Sequence, residues 1–178
     1  MRIGIFIAET SPRGSTLEAV AAKARWAESS GLATGWVPHV PWSHDALTSL
    51  ALAGRETSRI ELGTAVVPIQ TRHPVSMAQQ ALTTQALCAG RFTLGLGPSH
   101  HWIVQDQLGL SYERPAALVR DYLQVLDAAF SGRGPVDVEN ESYRVHSPFD
   151  VIDPTPMPVL IAALAPVMLR IAGEHSSG

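Results

Sequence analysis

Five of the seven histidines, His39, His44, His73, His100 and His101, sit at or just beyond the ends of short apolar runs. In parallel α/β proteins the ligand site forms outside the carboxyl ends of the strands, so histidines there are placed to meet a ligand. An imidazole titrates near neutrality and can hold or pass a proton at a reacting centre. His39, after Gly35-Trp-Val-Pro38, and His100, after Arg91-Phe-Thr-Leu-Gly-Leu-Gly97, follow apolar strands most directly and are the leading candidates. Each histidine taken singly is more simply a loop or capping residue; it is the grouping that points to proton chemistry. With no His-Glu-x-x-His pattern and no cysteine pair, no metal-ligand set is expected.

Other residues invite chemistry and mostly have a plainer explanation. Gly95-Leu-Gly97 follows a strand, as a dinucleotide fingerprint would, but continues Pro98-Ser99-His100. The third glycine is missing and a proline stands in the loop, so the backbone cannot approach a pyrophosphate in the usual way. The plainer reading is that both glycines let a strand end pass close to a ligand or neighbour. Ser99 has no nucleophile-elbow context. Arg72, beside His73 at a helix start, could attract an anion or simply lie at the surface. Gln79 and Gln80 read as surface positions, and Cys88 as a buried structural thiol without a basic partner.

The elements that position these residues alternate. Ile3–Ala8 is a short apolar strand closed by the turn cluster Glu9–Gly14. Ser15-Thr-Leu-Glu18 reads as a capping box opening a helix to about Ser30, with Leu17, Val20, Ala21, Ala24 and Ala27 on one face. A strand at Gly35–Val40, a helix from Asp45 to about Arg59 and a β-branched strand over 60–67 follow. The next helix enters at Pro74, with His73 as its cap, and runs to about Cys88. A strand at Arg91–Gly97, a helical piece at Trp102–Leu108, a helix at Pro115–Phe130, a strand at Pro158–Ala163 and a helix from Ala165 complete the pattern. Residues 136–151 are a polar excursion, either a hairpin or a loose lid, within an insertion at about 131–157. Strands apolar on both faces and separated by helices imply a parallel sheet. An open doubly wound sheet and a (β/α)8 barrel both fit, and five βα units fill only part of a barrel of ~250 residues.

The 178 residues are 46% hydrophobic and 16% charged, with a net charge of −3. That composition suits one well-buried domain and offers no basic field for nucleic acid or an anionic membrane. A single cysteine excludes an internal disulfide and suits a reducing compartment. No apolar run reaches the ~18–20 residues of a membrane span, and the first residues read as a strand, not a signal peptide. A cytoplasmic protein is expected. Asn140-Glu-Ser142 matches a glycosylation sequon, which carries little weight in that setting.

Several segments together resemble the luciferase-like monooxygenase superfamily, most closely its actinobacterial coenzyme F420-dependent oxidoreductases. They are Gly63–Thr83, Gly90–His100, Glu113-Arg-Pro115 and Pro158–Leu169, in order and similarly spaced. The resemblance implies a TIM-barrel-type α/β repeat, truncated to about its first five βα units, with residues 1–178 as one partial barrel domain. It implies F420, or alternatively FMN, bound at the carboxyl face of the strands. The pair Ala65-Val66 would form a non-prolyl cis peptide behind the cofactor ring, flanked by Thr64 and Val67. Further cofactor contacts would come from Gly97 and Ile103 in the loop after the fourth strand, and from Leu164 and Ala165 after the fifth. His39 and His100 would be the catalytic residues. Some relatives carry a carboxylate where His100 stands, an asparagine in place of Ile103 and a glycine in place of Ala165. The activity implied is hydride transfer between reduced F420 and a small organic substrate, with FMN-dependent monooxygenation as the alternative. A full relative continues for three more βα units. A different class of reading therefore remains, an inactive fragment or a half-barrel that associates through open edges at its first and fifth strands, for example as a homodimer.

Overall fold

A computed structural model of the chain describes residues 1–11, 14–152 and 154–178. The turn expected over Glu9–Gly14 and the insertion at 131–157 each include residues outside that set, Pro12 and Arg13 in the first and Asp153 in the second. Six strands build one parallel sheet: β1 (Gly4–Phe6), β2 (Thr34–Val37), β3 (Glu61–Thr64), β4 (Val67–Pro68), β5 (Phe92–Gly97) and, last in the chain, β8 (Val159–Ile161). β1 pairs with β2 and β2 with β3; β5 pairs with β3 through Phe92 and Thr93 and with β4 through Leu96 and Gly97. β3 and β4 are thus one strand position interrupted at Ala65 and Val66, where a continuous strand over 60–67 was expected. β8 lies on the other side of β5, in register Leu94–Leu96 with Val159–Ile161.

The helices α1 (Leu17–Ser29), α2 (Ala46–Arg55), α3 (Pro74–Leu87) and α4 (Pro115–Phe130) lie between successive strands of the sheet, and α5 (Pro166–His175) follows β8. Leu47, Leu50, Met77, Phe92, Leu94, Leu96, Tyr122 and Leu126 are sealed between α2, α3, α4 and the sheet. Helices placed between parallel strands bury the sheet in this way in βαβ units.

Local chemistry sets the boundaries. The cap of α1 is Thr16, whose hydroxyl accepts from the Ala19 N–H at 3.1 Å, and not Ser15 as the capping-box spacing suggested. Ser15 instead accepts from the Glu9 N–H at 3.0 Å, and Glu18 pairs with Arg25. Leu17, expected on the buried face, lies at the helix mouth and is 36% exposed. Helix α2 stops at Arg55, short of Arg59, because two side chains from elsewhere claim the following turn. The Glu28 carboxylate accepts from the N–H groups of Ser58, Arg59 and Ile60 at 3.0, 2.6 and 2.9 Å. Arg91 donates to the carbonyls of Gly54, Thr57 and Ile60 at 2.8, 2.9 and 2.7 Å, satisfying acceptors that a helix end leaves free.

The polar excursion is a hairpin. β6 (Val136–Glu139) pairs antiparallel with β7 (Arg144–Ser147). Asn140 Nδ2 donates to the Asp121 carbonyl and to Gln124 Oε1, and the Ser142 hydroxyl donates to Asp121 Oδ2 at 2.8 Å, so the hairpin is fastened to α4 and the sequon asparagine is engaged. The free side of β8 is also occupied. Ser177 N–H donates to the Val159 carbonyl and Ile161 N–H to the Gly178 carbonyl, both at 2.8 Å, where an open edge was expected. β1 keeps its open edge, with Ile3 and Phe6 half-exposed beside it. Among the described residues, no helix is long and apolar enough to cross a membrane.

Candidate active site at the carboxyl ends of the strands

The interruption of the third strand has a structural cause in Thr64. Its side-chain oxygen donates to the Gly95 carbonyl and accepts from the Gly95 N–H, both at 2.8 Å, taking over the ladder bonds that β3 gives up as it leaves β5. Ala65 N–H turns to the Val37 carbonyl at 2.9 Å. The Ala65–Val66 peptide is cis. Both residues are half-buried and open, whereas Thr64 and Val67 are sealed beneath them.

This bulge explains the two glycines of β5. A Cβ on Gly95 would collide with the Thr64 carbonyl oxygen, and one on Gly97 would stand 3.0 Å from both Val66 Cγ2 and Ala162 Cβ. The Gly-Leu-Gly stretch is a seat for the neighbouring bulge, not a phosphate cradle. Gly97, Val66 and Ala162 therefore meet across three adjacent strand ends. Leu164 is fully exposed and Ala165 is the cap position of α5. Ile103 is 4% exposed, within a wide helical turn at Trp102–Gln107 whose Leu108 N–H reaches back to the Ile103 carbonyl. Its side chain is buried, though it lies outside the main core cluster.

His39 lies at the exit of β2, its side chain 16% exposed. The Ala46 N–H, first in α2, donates to Nδ1 at 3.4 Å, and Asp45 Oδ2 stands 3.7 Å from the same atom. Burial pushes the imidazole below its ordinary value, Asp45 pulls the other way, and Arg72 adds to the lowering. Asp45 is the hub. It caps α2 by accepting from the Thr48 N–H and hydroxyl, accepts from Gln80 Nε2 at 3.2 Å, and pairs closely with Arg72. Burial opposes its ionisation, but the Thr48 N–H and the Arg72 guanidinium hold its carboxyl below the usual range. Arg72 is thus engaged by a carboxylate and half-buried, not a free anion trap. Gln80, read as a surface position, belongs to the same cluster, and Gln79 alone is exposed. Sequence spacing gave no sign of Asp45 or Gln80, because their common partner is formed by helices α2 and α3 packing together.

His100 belongs to a different neighbourhood. It is exposed and stacks on Trp102 (centroids 6.3 Å, planes 15° apart), which stacks in turn on Trp42 (6.2 Å, 19°). No hydrogen bond links it to His39. His73 caps α3 as expected, its Nδ1 accepting from the Val75 N–H at 3.3 Å, and His101 meets Tyr112 edge-on. Gln70 donates to the Pro98 carbonyl at 2.8 Å, tying the turn after β4 to the loop after β5. Gln70 Oε1 and Arg72 Nη1 remain buried without a partner among the described residues. Cys88 is fully buried, and burial raises its thiol to about 11 although Arg91 works against this. A cavity of about 510 Å³ lies against Leu82, Ala129 and Phe149, away from the strand ends, and neither histidine candidate nor the Ala65-Val66 pair lines it.

An interrupted third strand that opens two small residues at the carboxyl face, with a histidine at the neighbouring strand exit, is the layout the resembling segments implied. The model of the luciferase-like monooxygenase family matches residues 1–178. The chain belongs to that family. Among its relatives, a candidate coenzyme F420-dependent oxidoreductase of Mycobacterium tuberculosis is 34% identical over 119 residues, 67% of this chain and 34% of that protein. The structure of the coenzyme F420-dependent tetrahydromethanopterin reductase of Methanopyrus kandleri superposes with a TM-score of 0.81 at 25% identity, over 100% of this chain and 54% of that one. The oxygenating constituent of 3,6-diketocamphane monooxygenase from Pseudomonas putida, in complex with FMN, superposes with a TM-score of 0.79 at 18% identity, over 98% and 55%, a likeness of fold. The family's fold is therefore the TIM-barrel type, and this chain, with five parallel strand positions among its described residues, spans about half the length of the family structures it matches.

Proposed function

We propose that this chain carries the cofactor-facing part of an F420-dependent oxidoreductase acting on a small organic molecule, with residues 1–178 as one partial barrel domain and 131–157 inserted in it. The carrying observation is the open pair Ala65-Val66 beside Gly97, which lacks a side chain, at the carboxyl face of the sheet. A flat ring system needs a shelf without projecting side chains and a polar group at its rim. Ala65, Val66 and Gly97 fit the shelf; His39 fits the rim; Thr64 and Val67 support it from below. Leu164 and Ala165, on the far side of Ala162, are placed to meet a cofactor's extended part, and His100, on its aromatic row, to meet substrate. When bound, a reduced deazaflavin supplies a hydride. The chain's own part is to orient the ring, to present substrate to it and to hold a hydrogen-bonding group at His39.

Relatives named for F420, at 34% and 25% identity, favour F420 over FMN for this site. The test is a fluorescence titration of the purified chain with F420 and, in parallel, with FMN. Saturable quenching by F420 supports the reading. Saturation by FMN alone turns it to flavin monooxygenation. Binding of neither overturns it for this chain and leaves a half-barrel that works, if at all, through association.

A further inference from the structure

The geometry points to Asp45 as a positioning residue that, through the first turn of α2, fixes His39 as the neutral tautomer with its proton on Nε2, a hydrogen-bond donor toward a substrate oxygen. The argument starts from Nδ1. It receives the Ala46 N–H at 3.4 Å, and an N–H can donate only to an unprotonated ring nitrogen. The single proton of a neutral imidazole must then sit on Nε2. That atom has no protein partner among the described residues and is not among the sealed polar atoms, so it is open to a ligand.

What holds the Ala46 N–H in place is Asp45. As the cap of α2 it fixes the first turn through the Thr48 N–H at 2.9 Å, and its second oxygen is clamped by Arg72. Gln80, from α3, holds it from a third side. The alternative tautomer, with Nδ1–H facing Asp45 Oδ2 at 3.7 Å, would sacrifice the Ala46 contact for a separation too long for a hydrogen bond. The charged groups bearing on the ring are Asp45 and Arg72, of opposite sign, and burial decides for the neutral form. A neutral imidazole donating from Nε2 can polarise a carbonyl or hydroxyl oxygen but does not surrender its proton, so the site suits substrates with an oxygen acceptor whose proton is drawn from solvent. That last statement rests on His39 being the reaction-site histidine; the tautomer assignment does not.

Long-range proton–nitrogen NMR of the cofactor-free chain, with the His39 signal assigned by its loss in His39→Gln, tests this directly. The wild-type ring should show the Nε2–H pattern, dominant by about fivefold, the worth of one backbone hydrogen bond, down to pH values where it becomes charged. Asp45→Asn keeps a capping side chain and should keep that tautomer, with a titration midpoint below wild type because the carboxylate favouring the charged ring is gone. Asp45→Ala should show both tautomers. An Nδ1–H wild type, a mixed wild type, or a tautomer equally strict in Asp45→Ala overturns the proposal. Should Asp45→Ala not fold, the wild-type spectrum and the direction of the Asp45→Asn midpoint decide. Failure of F420 to bind, with the Nε2–H tautomer present, sinks the cofactor reading alone.

Discussion

Replacing Gly95 by alanine should damage this protein far more than the same change at Gly97, two residues along one strand. A methyl group on Gly95 runs into the Thr64 carbonyl oxygen, part of a backbone that cannot turn aside. Relieving the clash pushes β3 from β5 and breaks the two hydrogen bonds, each 2.8 Å, between the Thr64 hydroxyl and the Gly95 backbone. Overpacking costs about 1–3 kcal/mol, and two buried hydrogen bonds about 1 kcal/mol each. Loss of glycine's freedom in the unfolded chain returns about 0.4–1 kcal/mol. The net for Gly95→Ala is ~2–4 kcal/mol of destabilisation. At Gly97 the methyl would stand 3.0 Å from Val66 Cγ2 and Ala162 Cβ, side-chain atoms that can yield by a few tenths of an ångström. Gly97→Ala should fall within about 1 kcal/mol of wild type, while narrowing the shelf proposed for the cofactor ring. Urea unfolding of the three proteins at 25 °C is the assay. A Gly95→Ala protein as stable as wild type, or a Gly97→Ala protein less stable than Gly95→Ala, would refute the account of why this strand carries two glycines.

Two further outcomes are expected. Burial works against the Glu28 charge, but the Ile60, Arg59 and Ser58 N–H groups bring its pKa from 4.5 to about 2. A carboxylate lowered on folding contributes stability that is fully present above 4.5 and lost as pH falls through about 2. Screened by solvent at a partly exposed group, the contribution is ~1–2 kcal/mol. The stability gap between wild type and Glu28→Gln should therefore shrink from pH 6 toward pH 2–3, and a gap constant across that range would contradict the assignment. Cys88, sealed and with its thiol raised to about 11, should resist a maleimide at pH 8 in the folded protein and react once unfolded; rapid labelling of the native chain would show the site is open.

Much of the element order is local chemistry and could be read from the chain. Helix α3 begins where Pro74 tolerates a missing N–H and His73 caps it, and α4 runs from Pro115 to Phe130 between a proline start and a glycine-rich stop. The histidines at the strand exits were legible for the same reason, since each follows an apolar run. The candidate bulge pair is different. Ala65 and Val66 carry no local signal of their own, and it was the run of segments resembling a known family that pointed to them.

Partners distant in sequence decided the rest. Ser15 and Thr16 are equally good caps by type, and the choice fell to Thr16 because Ser15 is held by Glu9 across the turn. Helix α2 ends early because Glu28 and Arg91, both roughly thirty residues away, claim the backbone after it. Arg72 and Gln80 look like surface residues until α2 and α3 pack and bring Asp45 between them. Propensity and capping act over a few residues and are written in the sequence. A charge cluster, a strand interrupted by its neighbour's glycines, and the tautomer of a histidine depend on groups that meet only when the sheet is formed.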